Sequence, residues 1–307
     1  MQIKYDKKRS DITFCTMLFK MPDHNKLNTI KRNDRKFEEF YLKSLQKLIT
    51  TFERVALWCD QETADFLKKH GLDKKIQMRV MKFSDLPQYA ECDEYLECLR
   101  GMTKYRGFLL NHRKPEDWPD YMVLMMSKIA VIKWAAENNK FKSDYFMWLD
   151  TGGFNPNFAR CWKDWTGTID ARPERCRFCV ALTLGKARPP FVPRFINNII
   201  KKFQNPIAPA TSATLVKQSL VNIAMTNADY DVPGGSFMIP AKWAQRFAES
   251  FETTRMIMKK HGLVAVDQGI FQAMMKFDTQ NMFEICYIHE YQKLYTRIAG
   301  PKPDHLL

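Results

Sequence analysis

The amino-acid sequence predicts an α/β protein with a central mixed, mostly parallel sheet flanked by helices. Between residues 11 and 83, apolar β-branched runs alternate with amphipathic helical stretches, which is typical of βαβ units in a parallel sheet. Further along, the run Tyr145-Phe-Met-Trp-Leu149 is hydrophobic on both faces of a strand. A strand of that kind is expected at the centre of such a sheet.

The first half of the chain supplies three of the predicted strands, at 11–19, 54–59 and 76–83. Asp34 caps a helix in which aromatic and leucine side chains recur at helical spacing as far as Leu48. A second helix, 62–70, ends at a glycine. A long helix at 119–138 carries several methionines, which we interpret as core residues rather than as metal ligands.

The second half contains an apolar strand at 178–184 and, after a proline-rich stretch, a glycine turn that enters a strand ending at Ile239. Pro240 then begins a helix that runs to about residue 261. Asp267 caps a helix over 268–276, and a last strand follows at 283–288. We expect the tail at 300–307 to be loose.

Length and composition favour one compact domain, 1–307, with no repeat and no low-complexity tract. The apolar run at 12–19 is too short to cross a membrane and lacks the flanks of a signal peptide. We therefore expect a cytoplasmic protein without a transmembrane segment, and a peripheral membrane contact stays open. Oligomeric state is not indicated by the sequence.

The net charge of +14 has two interpretations. It could be a solvated basic surface, or a field that raises the local concentration of an anionic, phosphate-bearing substrate. A nucleic-acid partner is the weaker alternative, because the basic residues are spread along the chain and no nucleic-acid-binding motif accompanies them.

Eight cysteines are scattered along the chain and are typical of buried thiols in a reducing compartment. Cys176 and Cys179 have the spacing of metal ligands, but a structural zinc site needs about four ligands and Cys161 is the sole nearby candidate for a third. Ordinary thiols are the better interpretation.

Asp150 follows the most apolar strand of the chain and is itself followed by Thr-Gly-Gly. Central strands of open α/β sheets present functional side chains at their carboxyl ends. Asp150 could cap the next turn, or it could bind a hard divalent cation while the glycines admit a diphosphate. The spacing alone leaves both interpretations open.

Other enzyme classes are disfavoured by missing motifs. The chain has no GxxxxGK[ST] loop for phosphoryl transfer and no GxGxxG after its first strand for a dinucleotide. It also lacks the GxSxG of serine hydrolases.

The segments Phe141-Lys-Ser-Asp-Tyr-Phe-Met-Trp-Leu-Asp150-Thr-Gly, Gly234-Gly-Ser-Phe-Met-Ile and Val266-Asp-Gln-Gly-Ile-Phe-Gln resemble the motifs of the bacterial HtrL/YibB family. That family is placed among glycosyltransferases of the GT-A type. The resemblance implies a GT-A-like, nucleotide-sugar-binding fold. It also implies a nucleotide-binding half at 1–150 and an acceptor-binding half at 151–299.

The resemblance further implies roles for single residues. Asp150 corresponds to the acidic metal ligand of the DXD motif, in which Gly152 stands in place of the second carboxylate, and His289 corresponds to a late histidine ligand of the same metal. Lys128 and Gly152 would contact the donor, and Asp267 would be the catalytic base or a sugar-binding group. The acceptor-binding residues implied are Gly234, Gly235 and Gln268.

These roles together predict a glycosyltransferase with Mn²⁺ or Mg²⁺ on the diphosphate of a nucleotide-sugar donor, most simply a UDP-sugar. The acceptor would be a glycan, a lipid-linked glycan or a surface polysaccharide. A catalytically silent relative that binds glycan or nucleotide is the alternative, since the second carboxylate is missing.

Overall fold

The computed structural model describes residues 11–20, 37–101, 119–151, 176–181, 235–276 and 283–288. Over these ranges the chain forms seven strands: β1 (Ile12–Leu18), β2 (Val55–Cys59), β3 (Ile76–Val80), β4 (Tyr145–Leu149), β5 (Cys176–Ala181), β6 (Ser236–Pro240) and β7 (Phe283–Ile288). They belong to one sheet with the order β3-β2-β1-β4-β6-β5-β7.

Most neighbouring strands of the sheet run in the same direction. The pairs β3–β2, β2–β1, β1–β4 and β5–β7 are parallel, whereas β6 is antiparallel to both β4 and β5. The sheet is therefore mixed and mostly parallel. This confirms the predicted class, an α/β protein with a central mixed, mostly parallel sheet.

The described α-helices are α1 (Lys43–Thr51), α2 (Gln61–Lys69), α3 (Cys92–Gly101), α4 (Pro119–Asn138), α5 (Ala244–Lys260) and α6 (Asp267–Lys276). Helix α2 shows why they form where they do. Asp60 at the end of β2 accepts the N–H of Thr63 at 2.8 Å, which caps the first turn. Gly71 lies just beyond the helix with φ +66°, a left-handed conformation that glycine adopts without strain.

The two faces of the sheet bury different sets of side chains because successive residues of a strand point to opposite faces. One face packs against α1 and α2 and includes Phe14, Leu57 and Met147. The other packs against α4, α5 and α6 and includes Trp58 and Trp148. Lys128, Trp148 and Asp267, described below, lie on this second face.

Several boundaries differ from the sequence prediction, most of them by one residue, and the larger or more informative differences are these. Strand β3 ends at Val80 rather than at 83, because Lys82 donates its N–H to Asp85 Oδ2 at 3.0 Å and the chain turns there. Pro240 pairs with Tyr145 as the last residue of β6, so it does not begin the following helix.

Instead, a short 3₁₀ turn, Ala241–Trp243, leads into α5. Strand β5 begins at Cys176, two positions before the predicted start, and helix α6 begins at Asp267 itself. No helix in the described parts of the chain is long and apolar enough to span a membrane.

Candidate functional site

Asp150 stands directly after β4, at the edge where the carboxyl ends of the parallel strands β1 to β4 meet. The five residues of β4 are all buried, but 37% of the Asp150 side chain is exposed. The strand therefore presents this carboxylate at the margin of the core, as predicted for the end of a central strand.

Lys128 reaches Asp150 from the middle of α4. Its side chain is only 2% exposed, and its Nζ lies 3.0 Å from Asp150 Oδ1 and 2.8 Å from Asp267 Oδ2. An ammonium group at this depth needs ionic partners, because burial without them would favour the neutral form. The two carboxylates supply them.

The same carboxylates determine the protonation state of Lys128. Burial by itself lowers the pKa of this lysine, but the negative charges of Asp150 and Asp267 and the hydrogen bond to Asp267 outweigh that effect. The pKa of Lys128 consequently lies above its ordinary value, and the ammonium stays charged at physiological pH.

Trp148 is the other residue that holds the Asp150 carboxylate. It precedes Asp150 by two positions, so both side chains lie on the same face of the strand, and its Nε1 donates to Asp150 Oδ1 at 2.7 Å. The Lys128 ammonium also lies 5.6 Å from the centre of the Trp148 ring, within the range of a cation–π contact. Within the described chain both donors bind Oδ1, which leaves Oδ2 for a ligand.

Asp267 lies deeper than Asp150. It is the first residue of α6, where the helix dipole favours a negative charge, and its side chain is 3% exposed. The Val266 carbonyl accepts the N–H of Gly269 at 2.9 Å, which starts the helix. The Asp267 carboxylate is thus placed beneath Lys128 rather than at the surface.

The backbone around Asp150 is fixed from both neighbouring strands. Its N–H donates to the carbonyl of Gly235 at 3.0 Å, just before β6 begins. On the β1 side, Thr16 Oγ1 donates to the Leu149 carbonyl at 2.7 Å and lies 2.8 Å from Thr151 Oγ1.

The structure therefore brings together three of the predicted site residues, Lys128, Asp150 and Asp267, and adds Gly235 through its carbonyl. Gln268 lies in the first turn of α6. The remaining predicted positions, Gly152, Gly234 and His289, lie outside the described residues.

No described part of the chain contains a group of three or more His, Cys, Asp or Glu side chains placed to hold a metal ion. For the weaker zinc interpretation, Cys176 and Cys179 both lie within β5, and Cys161 is outside the described ranges.

Sequence reasoning missed the roles of Trp148, Thr16 and Thr151. The role of Trp148 could have been predicted, since side chains two residues apart on a strand lie on the same face and the indole N–H of Trp148 is a hydrogen-bond donor for Asp150. The two threonines carried no such signal, because threonine is common in strands and a pair of hydroxyls is recognised only once the register of β1 and β4 is known.

Comparison with known proteins gives one family and a distant structural similarity. The family described as "Bacterial protein of unknown function (HtrL_YibB)" matches residues 11–174, which is more than half of the chain. No curated protein matches the chain.

Among solved structures, the crystal structure of mouse xyloside xylosyltransferase 1 in its apo form has a TM-score of 0.38 and 11% sequence identity. The match covers 90% of this chain and 84% of that one. At this level of similarity, any functional conclusion must rest on the site itself.

Proposed function

We propose that this chain, which belongs to the HtrL_YibB family, is a glycosyltransferase that moves a sugar from a nucleoside-diphosphate donor to a glycan, lipid-linked or surface-polysaccharide acceptor. A UDP-sugar is the first donor to test. One observation supports the proposal most strongly: a partly exposed carboxylate, Asp150, is held in a single orientation at the carboxyl edge of the sheet by a buried lysine and a tryptophan.

The residues present fit a divalent cation. Lys128 and Trp148 both bind Oδ1 of Asp150, and a hard cation could take the other oxygen together with phosphate oxygens and water. Mn²⁺ or Mg²⁺ bound there would stabilise the charge that develops on the departing diphosphate. Gly152, at the position of the second DXD carboxylate, supplies no side-chain ligand, so the donor's own phosphates would complete the coordination.

The charges of the site support binding of cation and diphosphate together. Asp150, Asp267 and the ammonium of Lys128 sum to one negative charge. A divalent cation would change the sum to one positive charge, which then attracts a diphosphate. Lys128 contributes its charge from beneath Asp150, because its buried ammonium is already engaged with both carboxylates.

Asp267 has two proposed roles that depend on the stereochemistry of transfer. In an inverting reaction, a carboxylate must take the proton of the acceptor hydroxyl, and Asp267 is the candidate. In a retaining reaction, the leaving phosphate can take that proton and Asp267 serves to hold Lys128. The burial of Asp267 and its pairing with Lys128 favour the second role.

The first experiment is thermal stabilisation by UDP, GDP, CDP and dTDP, each with and without Mn²⁺. We expect one nucleotide to raise the melting temperature more in the presence of Mn²⁺ than in its absence, and Asp150→Ala to abolish the increase. Donor hydrolysis and transfer assays with the sugars of that nucleotide then test catalysis. Turnover that survives in Asp150→Ala would contradict the site assignment.

A nucleotide- or glycan-binding protein without transfer activity is the second candidate. The absence of a carboxylate at Gly152 favours it, because an incomplete metal motif can bind without catalysing. Stabilisation by a nucleotide with Mn²⁺, combined with no turnover of any of its sugar conjugates, would support this candidate over the enzyme.

A further inference from the structure

Pairing between β1 and β4 stops before β1 itself ends. The parallel register runs from Ile12–Tyr145 to Cys15–Trp148, whereas β1 continues to Leu18 alongside β2. The backbone that carries Asp150 therefore lies just past the last paired position. Something other than the strand ladder must hold it against β1.

Two buried threonine hydroxyls occupy this position. Thr16 Oγ1 donates to the Leu149 carbonyl at 2.7 Å, and Thr151 Oγ1 donates to the Met17 carbonyl at 3.1 Å. The two hydroxyl oxygens lie 2.8 Å apart. Thr16 is fully buried and Thr151 is 5% exposed. Each hydroxyl has one proton, so the pair makes two of these three hydrogen bonds at a time: one to each carbonyl, or one to a carbonyl and one between the hydroxyls. In either arrangement the two side chains and the two carbonyls form one connected unit.

This unit holds the backbone on both sides of Asp150. Thr16 binds the carbonyl of Leu149, which precedes Asp150, and Thr151 follows Asp150 and binds the carbonyl of Met17. The N–H of Asp150 is fixed from the opposite side by the Gly235 carbonyl. The peptide groups on both sides of Asp150 are thus held, and the direction of its side chain is set before any ligand arrives.

We propose that Thr16 and Thr151 are positioning residues that hold Asp150 in the orientation needed to bind a cation. This inference rests on the proposed function, because it assumes that Asp150 is the cation ligand. Residues that orient a metal ligand typically contribute about 10- to 100-fold in metal affinity. Neither threonine would contact the cation or the donor.

The chain offers a matched control for removing a buried hydroxyl. Thr13 Oγ1, also on β1 and fully buried, donates to Ser143 Oγ at 2.8 Å, at the opposite end of the β1–β4 pair. Thr13→Val removes a hydroxyl–hydroxyl bond of the same length but leaves the surroundings of Asp150 intact. Thr16→Ser keeps the hydroxyl and should restore what Thr16→Val loses.

The test measures Mn²⁺ affinity by electron paramagnetic resonance in the presence of UDP, together with amide hydrogen exchange of the segment 147–151. We expect Thr16→Val and Thr151→Val to weaken Mn²⁺ binding about 10- to 100-fold, with Thr16→Ser and Thr13→Val within about twofold of the wild type. Exchange at 147–151 should be faster in both weakened variants than in Thr13→Val. Equal Mn²⁺ affinity in the Thr16, Thr151 and Thr13 valine variants would overturn the proposal.

Failure of the proposed function would give a different pattern. If the wild-type protein binds no Mn²⁺ with UDP or with the other nucleoside diphosphates, the enzyme proposal fails, and hydrogen exchange alone then decides whether the threonines fix this backbone. Faster exchange in Thr16→Val and Thr151→Val than in Thr13→Val supports that part of the inference, and equal exchange refutes it.

Discussion

The ammonium of Lys128 lies 2.8 Å from the carboxylate of Asp267, and both side chains are buried. Lys128 belongs to α4, in the half of the chain that the family motif covers, and Asp267 begins α6 far beyond it. One ion pair therefore joins two distant parts of the sequence directly behind Asp150. Because such pairs are often no more stabilising than apolar replacements, its presence next to a partly exposed acid favours a functional role.

Removing the Lys128 ammonium should destabilise the protein. Lys128→Met breaks the buried ion pair with Asp267, which typically costs about 3–5 kcal/mol of unfolding free energy. The measurement is urea denaturation followed by circular dichroism. Lys133→Met is the control on the same helix, because Lys133 is part-exposed and its pair with Glu137 is long, at 3.6 Å. The control should change stability by less than about 1 kcal/mol.

Removing Asp267 together with Lys128 should separate the effect of the ion pair on stability from its effect on Mn²⁺ binding. The double variant Lys128→Met with Asp267→Leu replaces the buried pair by apolar groups, so we expect it to regain most of the stability lost in Lys128→Met. Binding of Mn²⁺ with UDP should be weaker than in the wild type for both Lys128 variants, because the ammonium that holds Asp150 Oδ1 is gone. A double variant with wild-type Mn²⁺ binding would show that Lys128 has a purely structural role.

The two ion pairs of Lys128 should differ in strength despite similar distances. Asp267 is 3% exposed and Asp150 is 37% exposed, so water screens the second pair far more than the first. Double-mutant cycles with Lys128→Met and either Asp267→Asn or Asp150→Asn should give a coupling of about 3 kcal/mol for Asp267 and about 1 kcal/mol or less for Asp150. Equal couplings would mean that Asp150 is shielded from water in solution.

Arg255 should be a purely structural charge, unlike Lys128. It is buried, and it binds Glu91 through two contacts of 2.7 and 2.9 Å and donates to the Tyr95 hydroxyl at 2.7 Å, which links α5 to α3. Arg255→Met should lower the unfolding free energy by about 3–5 kcal/mol, measured in urea. At temperatures where the variant remains folded, we expect it to bind Mn²⁺ and UDP as the wild type does. Weakened binding in the folded variant would show that this network supports the site.

Acid should weaken the same network at Glu91. Burial alone would raise the pKa of this carboxyl, but hydrogen bonds from Arg255 and Lys259 lower it below the ordinary value of 4.5. A lowered pKa in the folded state means that the stabilisation is complete above pH 4.5 and is lost as the pH falls through the folded-state value. The difference in melting temperature between wild type and Glu91→Gln should thus shrink on acidification below pH 4.5.

Glu137→Gln is the comparison for that pH series, since Glu137 is exposed and, among the described residues, pairs with Lys133 along α4. Its melting temperature should follow the wild type at every pH. A Glu91→Gln difference that stays constant down to pH 3 would mean that the carboxyl is not stabilised by its charge.

Asp150 and Lys128 could be identified as candidate site residues from the sequence because each is a charged residue in an otherwise apolar segment. A charged residue at the end of five buried apolar residues marks the carboxyl end of a central strand, and a lysine inside an apolar helix needs an ionic partner. The identity of that partner could not be predicted. Asp267 becomes adjacent only when α6 packs on the same face of the sheet as α4.

The direction of β6 was beyond sequence reasoning for a related reason. A five-residue apolar strand has the same pattern whichever way it runs, and the direction depends on a long preceding connection. The assignment of Pro240 to a helix failed because its last position in β6 removes only one backbone N–H from the ladder, which a strand end tolerates.

The antiparallel strand β6 also has a consequence for synthesis of the protein. Strands β1 to β4 can associate while the ribosome is still making the second half, but β4 then has an uncovered edge and its terminal acid lacks the Gly235 carbonyl. Lys128 would meanwhile have no counterion from α6. The nascent first half would need shielding from aggregation until β6 emerges from the exit tunnel and pairs with β4.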